Sequence, residues 1–495
     1  MLIEIYDGSV FELSCDTIII GLSEKAIHPA DITGIIDNNL SGLLSEIKSE
    51  NQDYTNYGEV NILSVTSPFK FKKILLVGLG KIEDLTLDKV RALFGHAARL
   101  ARKQRAQSVA AVLPNIESFE SIDVAKCAVE GMILGHYKFL YYKTTKTNNT
   151  DITKFTIINT QSNENELMNQ ALENSKIIAE SVNFARDLVN HPACYITPTK
   201  LAKYAAEIAD EDNLDLSILD RSHMKQLGLD ALLAVAQGST ENPQLIVLKY
   251  TGDETSKEFI AYVGKGVTFD SGGISLKPSE RMGEMKGDMA GGAAVLAAMR
   301  AIAKLKPMAN IIAVIPCVEN MPSGCALKPG DVIKSMAGYT IEIITTDAEG
   351  RLLLADAITY CKKLGATKIV DVATLTGACV VALGSVASGV ITNNEAWCNQ
   401  ILKSASCCGE KMWQLPAYDE YKEQIKSDIA DLKNSGGRMA GAITAGLFLE
   451  KFADNTPWAH IDIAGTSDIE SDKGYNVKGA TGAAVRTLIH LAVNQ

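Results

Sequence analysis

Two rhythms alternate along this chain: short runs of apolar, often β-branched residues, and longer stretches where apolar positions recur every three or four residues. Residues 1–7 read as a first strand, and further strands are expected at 18–20, 61–65, 74–77, 108–113 and 155–158. Helical periodicity marks 87–102 and 124–134. The first part of the chain therefore predicts an α/β domain with a mixed sheet. A polar stretch at 143–151 reads as an exposed loop, and 163–189 is mainly helical.

A second alternation begins at Thr197-Pro198. Threonine can cap a helix there and proline is tolerated in its first turn, so a helix is expected to about residue 210. Strands are predicted at 245–250, 259–263, 310–315, 342–344 and 368–372, with helices at 291–305 and 352–364. Such alternation implies a mostly parallel central sheet covered by helices. The expected fold class is α/β in two domains. A smaller N-terminal α/β domain spans 1–162, a connecting helix 163–190, and a larger C-terminal catalytic domain 191–495. In such sheets ligands gather at the carboxyl ends of strands. Lys265 and Asp270 follow the strand ending at Val263, and Asp347 and Glu349 follow the one ending at Ile344. Both pairs fall where a site is expected.

Composition works mainly by exclusion. At 495 residues, 46% hydrophobic and 22% charged, the chain is long enough for two cores and ordinary for a globular protein. A net charge of −11 argues against broad nucleic-acid binding driven by phosphate neutralisation. No apolar run approaches the roughly 18 residues of a membrane span, and the start lacks the features of a signal peptide. Ten cysteines, with no C-x-x-C pair and mostly in apolar contexts, suit reduced thiols in a cytoplasmic protein.

Candidate chemistry concentrates between Val263 and Arg351. Asp270, Asp288, Asp347 and Glu349 lie there among glycines and lysines, in Val263-Gly264-Lys265-Gly266-Val267-Thr268-Phe269-Asp270, Met285-Lys286-Gly287-Asp288 and Thr346-Asp347-Ala348-Glu349-Gly350-Arg351. Brought together, four carboxylates repel one another by several kcal/mol unless cations sit among them. Two divalent ions about 3.5–4 Å apart form a hydrolytic device that clamps a carbonyl or phosphoryl oxygen and activates water.

Each residue singly has a plainer explanation. Asp347 and Glu349 could complement a helix dipole, Asp288 could cap the helix near residue 291, and Asp270-Ser271-Gly272-Gly273 could be a turn. Jointly, those explanations leave Lys265 and Lys277 unaccounted for. Lys265 follows a buried strand between glycines, a poor place for a free ammonium, and burial with nearby cations favours a neutral, metal-ligating amine. Lys277, just before Pro278, suits a donor to a developing oxyanion. Neither Gly80-Lys81 nor Gly264-Lys265 completes a G-x-x-x-x-G-K-[ST] phosphate loop. The seven histidines lie outside the carboxylate segments, His460 reads as a core residue on a strand, and no Gly-x-Ser-x-Gly elbow appears. Oxygen-rich ligation suits Mn²⁺ or Mg²⁺, and Zn²⁺ also accepts carboxylates.

These motifs resemble the leucyl aminopeptidases of the cytosol aminopeptidase family, which are hexameric di-metal peptidases. The match runs from Asn190 to the C-terminus and is most specific at Thr346-Asp347-Ala348-Glu349-Gly350-Arg351-Leu352. Supporting it are 263–273, Glu319-Asn320-Met321-Pro322-Ser323-Gly324, Pro329-Gly330-Asp331-Val332 and 458–465. The resemblance implies that Lys265, Asp270, Asp288 and Glu349 ligate a tighter metal. Asp270, Asp347 and Glu349, with the Asp347 carbonyl, would ligate a more exchangeable one. It also implies that Lys277 binds the substrate carbonyl and the tetrahedral intermediate, and that Arg351 holds bicarbonate as general base. Met285, Thr374 and Gly377 would line the pocket for the first side chain, and the Leu375 carbonyl would orient substrate. The implied activity is release of N-terminal residues, large aliphatic ones preferred, from peptides with a free amino end, by a cytoplasmic homohexamer using Mn²⁺ or Zn²⁺.

One position departs from the family pattern: Thr345 stands where asparagine is usual before the Thr-Asp pair. Loss of a side-chain amide there implies altered support of the loop rather than loss of activity. Two other classes of function compete with this one. A di-metal phosphoesterase would want more cationic groups than Lys277 and Arg351. A DNA-binding role, known among relatives, fits poorly with the acidic charge and would be additional.

Overall fold

The computed structural model describes residues 1–65, 68–145, 150–158 and 165–494. Part of the expected 143–151 loop and the expected domain limit at 162/163 lie outside the described residues. The chain divides into two compact units, Met1–Glu180 with Glu470–Lys478, and Ser181–Ile469 with Gly479–Gln495. The division falls inside the helix Asn165–Asn190, and a short late segment joins the first unit, which no single linear boundary expresses.

Six strands form the sheet of the first unit: β1 (Leu2–Tyr6), β2 (Thr17–Ser23), β3 (Val60–Ser64), β4 (Lys73–Gly80), β5 (Ser108–Val112) and β6 (Lys154–Ile158). Their order is β1-β6-β5-β2-β4-β3, parallel throughout except for antiparallel β3 and β4. The helices Leu87–Lys103 and Ser121–His136 match the expected periodicity and cross closely, with Gly135 against the Gly95 backbone. Two helices of eight residues each, Ile32–Asn39 and Leu43–Glu50, were not expected. They span too few turns to imprint a recurring apolar stripe.

The second unit contains β7 (Asp215–Leu219), β8 (Gln244–Thr251), β9 (Phe259–Gly264), β10 (Gly266–Asp270), β11 (Asn310–Asn320), β12 (Val332–Lys334), β13 (Thr340–Glu342), β14 (Ala366–Ala373), β15 (Ser388–Thr392), β16 (Met412–Gln414), β17 (Leu432–Lys433) and β18 (Trp458–Asp462). Its large sheet runs β16-β15-β18-β14-β9-β11-β8-β7, with β10 alongside β11. The centre, β18-β14-β9-β11, is parallel, while β8 joins β11 and β15 joins β18 antiparallel. Long apolar strands buried on both faces give this parallel centre its stability.

One expectation is corrected. The strand predicted at 342–344 ends at Glu342 and belongs to a separate three-stranded sheet, β12-β13-β17. Ile343 still bonds the Asp331 carbonyl just before β12 at 2.9 Å, but the Ile344 amide turns away to the Asn434 side chain at 2.8 Å, which ends the ladder. Asp347 and Glu349 therefore do not hang from the end of a central strand.

The helix Ala290–Leu305 packs its glycine-rich start directly on the sheet. A Cβ added to Gly291 would lie 2.0 Å from the Val372 carbonyl oxygen, and one added to Gly264 would lie 2.6 Å from that of Gly291. The helix Gly350–Lys363 begins just as tightly, since a Cβ on Gly350 would lie 2.5 Å from Lys265 Cε. Only glycine allows these approaches. His460, fully buried on β18, meets its register neighbour Asp371 through Nδ1 at 2.5 Å, and Trp458 donates to the same carboxylate at 2.7 Å. All ten cysteines are free, with Cys194, Cys325 and Cys407 exposed. Among the described residues no helix is long and apolar enough to cross a membrane.

Candidate metal centre

Five loops deliver the candidate residues. Lys265 is the single residue between β9 and β10, and Asp270 ends β10 beside Asn320, the last residue of β11. Asp288 follows the turn of helix Met282–Gly287 that carries Met285. Asp347 and Glu349 precede the helix Gly350–Lys363, while Thr374 and Leu375 follow β14 and lead into the helix Gly377–Leu383. Four of these five arrive from the carboxyl side of the large sheet, as expected for a parallel architecture.

The side chains converge in two tiers. Lys265, only 3% exposed, places Nζ 2.8 Å from Asp288 Oδ1 and 2.8 Å from Glu349 Oε1. It also donates to the Thr374 carbonyl at 3.2 Å, and the Thr374 hydroxyl donates to Asp288 at 2.8 Å. Lys277, 21% exposed, lies 2.7 Å from Asp270 Oδ2 and also pairs with Asp347, which is 38% exposed. Lys265, Asp288 and Glu349 thus form a buried tier, and Lys277 with Asp347 an open one. Asp270 bridges towards the open tier from a buried position, its other oxygen accepting from Gly272 N and Asn320 Nδ2.

The plain alternatives for single residues account for only part of what these side chains do. Asp288 does not cap the following helix, whose N-cap is Met289. Glu349 occupies an N-cap position yet makes no capping hydrogen bond, reaching Lys265 instead. Asp270 does form a turn contact with Gly272, but only with one oxygen.

The charges of this cluster shift one another strongly. Burial works against the Lys265 ammonium, yet Asp288, Glu349 and Asp270 outweigh it and hold its pKa above the usual lysine value. Lys277 is raised in the same way, burial being outweighed by Asp270 and Glu349. Glu349 is held down, the two lysines overcoming its burial. Burial, reinforced by Glu349, still pushes Asp270 up to about 6, and Asp288 rises well above the carboxylate range. Two lysines are therefore too little positive charge for four carboxylates.

The unused oxygens point the same way. Asp288 Oδ2 and Glu349 Oε2 are buried with no hydrogen-bond partner, a costly state for a carboxylate. Oxygens of Asp270, Asp347 and Glu349 lie within 4.8 Å of one another. The donor set, hard oxygens with one amine, fits divalent cations.

The rest of the site frames this cluster. Arg351 is buried and donates Nη1 to the Asn434 carbonyl at 2.8 Å, and burial pulls its pKa down to about 10 against Glu349 and Asp462. Leu375 N bonds Asp462 at 3.1 Å and the Thr376 hydroxyl bonds it at 2.7 Å. Gly377 is exposed, with nothing within 4 Å of where a Cβ would be. Met285 is half-buried one turn before Asp288. Asn434 escaped the sequence reading altogether, while Asn320 and Asp462 lay inside supporting motifs without a role of their own.

Comparison with known families then decides the kinship. A model described as "Cytosol aminopeptidase family, catalytic domain" matches residues 183–489, and the corresponding N-terminal domain model matches 19–146. The chain belongs to the cytosol aminopeptidase family. As a member it is an aminopeptidase, a hydrolase of peptides. A probable cytosol aminopeptidase of Alkaliphilus metalliredigens is 45% identical over 495 residues, covering 99% of both chains. Another, from Geotalea uraniireducens, is 43% identical over 92% of each. Among solved structures, a mutant of tomato leucine aminopeptidase superposes with a TM-score of 0.90 at 32% identity, over 100% of this chain and 97% of that one. The bottromycin maturation enzyme BotP, in complex with Mn, gives a TM-score of 0.84 at 32% identity, over 97% and 99%.

Proposed function

We propose that this aminopeptidase releases N-terminal residues, leucine and other large aliphatic ones above all, using two divalent ions per subunit and bicarbonate. The observation that supports this most is the pair of buried, partnerless oxygens, Asp288 Oδ2 and Glu349 Oε2, beside the Asp270–Asp347–Glu349 cluster. Lys265, Asp270, Asp288 and Glu349 hold the tighter ion on the buried tier. Asp270, Asp347 and Glu349, with the Asp347 carbonyl, hold the more exchangeable one on the open tier. When bound, the two ions supply Lewis-acid polarisation of the scissile carbonyl and a water acidic enough to attack near neutral pH.

The protein's own groups do the rest. Lys277, protonated and facing the open side, donates to the carbonyl oxygen as negative charge develops on it. Arg351 holds bicarbonate, the general base, in a buried position where its charge is poorly screened. Met285, Thr374 and Gly377 line the pocket for the first side chain, and the Leu375 carbonyl orients the substrate. The open space at Gly377 leaves room for a branched aliphatic group. Mn²⁺ or Zn²⁺ is the assigned metal, with Mg²⁺ a third choice. The assembly is a cytoplasmic homohexamer acting on peptides, and a net charge of −11 disfavours a nucleic-acid partner.

Hydrolysis of a panel of amino-acid amides after chelation and reconstitution tests this reading. Activity should vanish on chelation, return with Mn²⁺ or Zn²⁺, and be highest for leucine amide. N-acetyl-leucine amide should resist cleavage, because acetylation removes the free amine. An enzyme inert towards the free amides with all three ions, or one that cuts the acetylated amide at a similar rate, would contradict it.

A further inference from the structure

We propose that Asn434 is the positioning residue for Arg351 and for the loop that carries Asp347 and Glu349. The inference rests on the reading of Arg351 and those carboxylates as working parts of the site. Asn434 lies just past β17, whose residue Lys433 is the register partner of Glu342 at the end of β13. That pairing sets its side chain against residues 344–348, where the loop has left the ladder.

Every polar group of Asn434 is engaged. Its amide donates to the Glu342 carbonyl at 3.0 Å, and its own carbonyl accepts Arg351 Nη1 at 2.8 Å. Its side-chain oxygen accepts from Ile344 N at 2.8 Å and Thr345 N at 3.4 Å. Its side-chain nitrogen donates to the Thr345 carbonyl at 2.7 Å and the Ala348 carbonyl at 3.5 Å. The residue is fully buried, so water supplies none of these bonds. Only a carboxamide offers two donors and an acceptor at this reach.

The arrangement also explains how Thr345 is tolerated. The Thr345 hydroxyl accepts from Asp347 N at 3.3 Å, a local contact, while the carboxamide that braces the loop comes from across the small sheet. One side chain thus fixes the backbone leading to both carboxylates, and by anchoring residue 434 it also holds in place the main-chain carbonyl that receives the guanidinium, a carbonyl that alanine keeps without its anchor. A buried asparagine serving stability alone would brace the loop without acting through Arg351.

The test compares Asn434→Ala, Arg351→Ala and the double variant as metal-loaded enzymes on leucine amide, with hydrogen exchange over residues 342–350. Asn434→Ala should lower kcat by roughly 30-fold with KM within about twofold. The double variant should be slower than Arg351→Ala by clearly less than the full Asn434→Ala loss, because the share of that loss acting through Arg351 is already gone while the share acting through the carboxylate loop remains. Exchange at Ile344 and Thr345 should quicken by about tenfold or more, with or without metal. Multiplying kcat losses, an unchanged kcat, or unchanged exchange would overturn the proposal. If Asn434→Ala does not fold, Asn434→Asp keeps the acceptor but loses the donor, and the same non-additivity is expected of it. Full turnover in Arg351→Ala would instead refute the role given to Arg351. Exchange at 344–345 then decides the Asn434 proposal alone, faster exchange supporting it and unchanged exchange refuting it.

Discussion

Lys277→Ala is expected to lower kcat on leucine amide by about 10²–10³-fold, the usual loss when one oxyanion donor is removed, while bound metal stays the same or rises. The second half of that expectation is the discriminating one. Lys277 pairs with Asp270 and Asp347, two of the carboxylates assigned to the more exchangeable ion. Its charge therefore competes with a cation for the same oxygens, and deleting it should not weaken metal binding. The chelated protein should lose thermal stability, because Asp270 and Asp347 are left facing Glu349 with less compensation. Restoring metal should recover that stability, since a bound ion stabilises the folded state by mass action. Metal analysis, kcat and melting with and without chelator measure all three. Turnover within twofold of the parent would remove Lys277 from the chemistry, and lost metal would reassign it to structure.

A larger effect is expected from Glu349→Gln. Glu349 reaches Lys265 in the buried tier and shares the oxygen cluster with Asp270 and Asp347 in the open one, so a single substitution touches both proposed ions. The glutamine keeps the volume and one acceptor but removes the charge, and both ions should be lost on dialysis, with activity falling by at least about 10³-fold. The fold should survive, because Lys265 keeps its bond to Asp288 and is not left as an unpaired buried charge. Metal stoichiometry, circular dichroism and residual hydrolysis check this together. Retention of two ions per subunit by a folded, dialysed variant would disprove the shared-ligand assignment.

The parts legible in the sequence were those whose chemistry is unusual for their surroundings. Lys265 between glycines after an apolar strand has no comfortable explanation alone, and the four acids, each explicable singly, have none jointly; all of them meet in the cluster. The central strands and the helices beginning near residues 291 and 352 were equally readable, because long apolar periodicity survives tertiary context. The misread strand at 342–344 shows where that signal ends. Ile341, Ile343 and Ile344 look alike as β-formers, but only the first lies in β13; Ile343 still bonds the Asp331 carbonyl just before β12, and the Ile344 amide is claimed by Asn434. What Asn434, Asn320 and Asp462 do could not be read for a related reason. Their residue types are common in turns, and their roles exist only once β11, β17 and β18 have set which loop each one faces.

The glycine contacts beneath the cluster carry a consequence for how the enzyme can change. Gly264, Gly291 and Gly350 seat backbone against backbone and against Lys265 with no room for even a methyl group, so the ground under the cations admits no variation. Gly377 looks out on free volume. On the proposed assignment of Gly377 to the pocket for the first residue, new tastes are acquired at that outer rim, where larger side chains can be tried without disturbing the hydrolytic apparatus below.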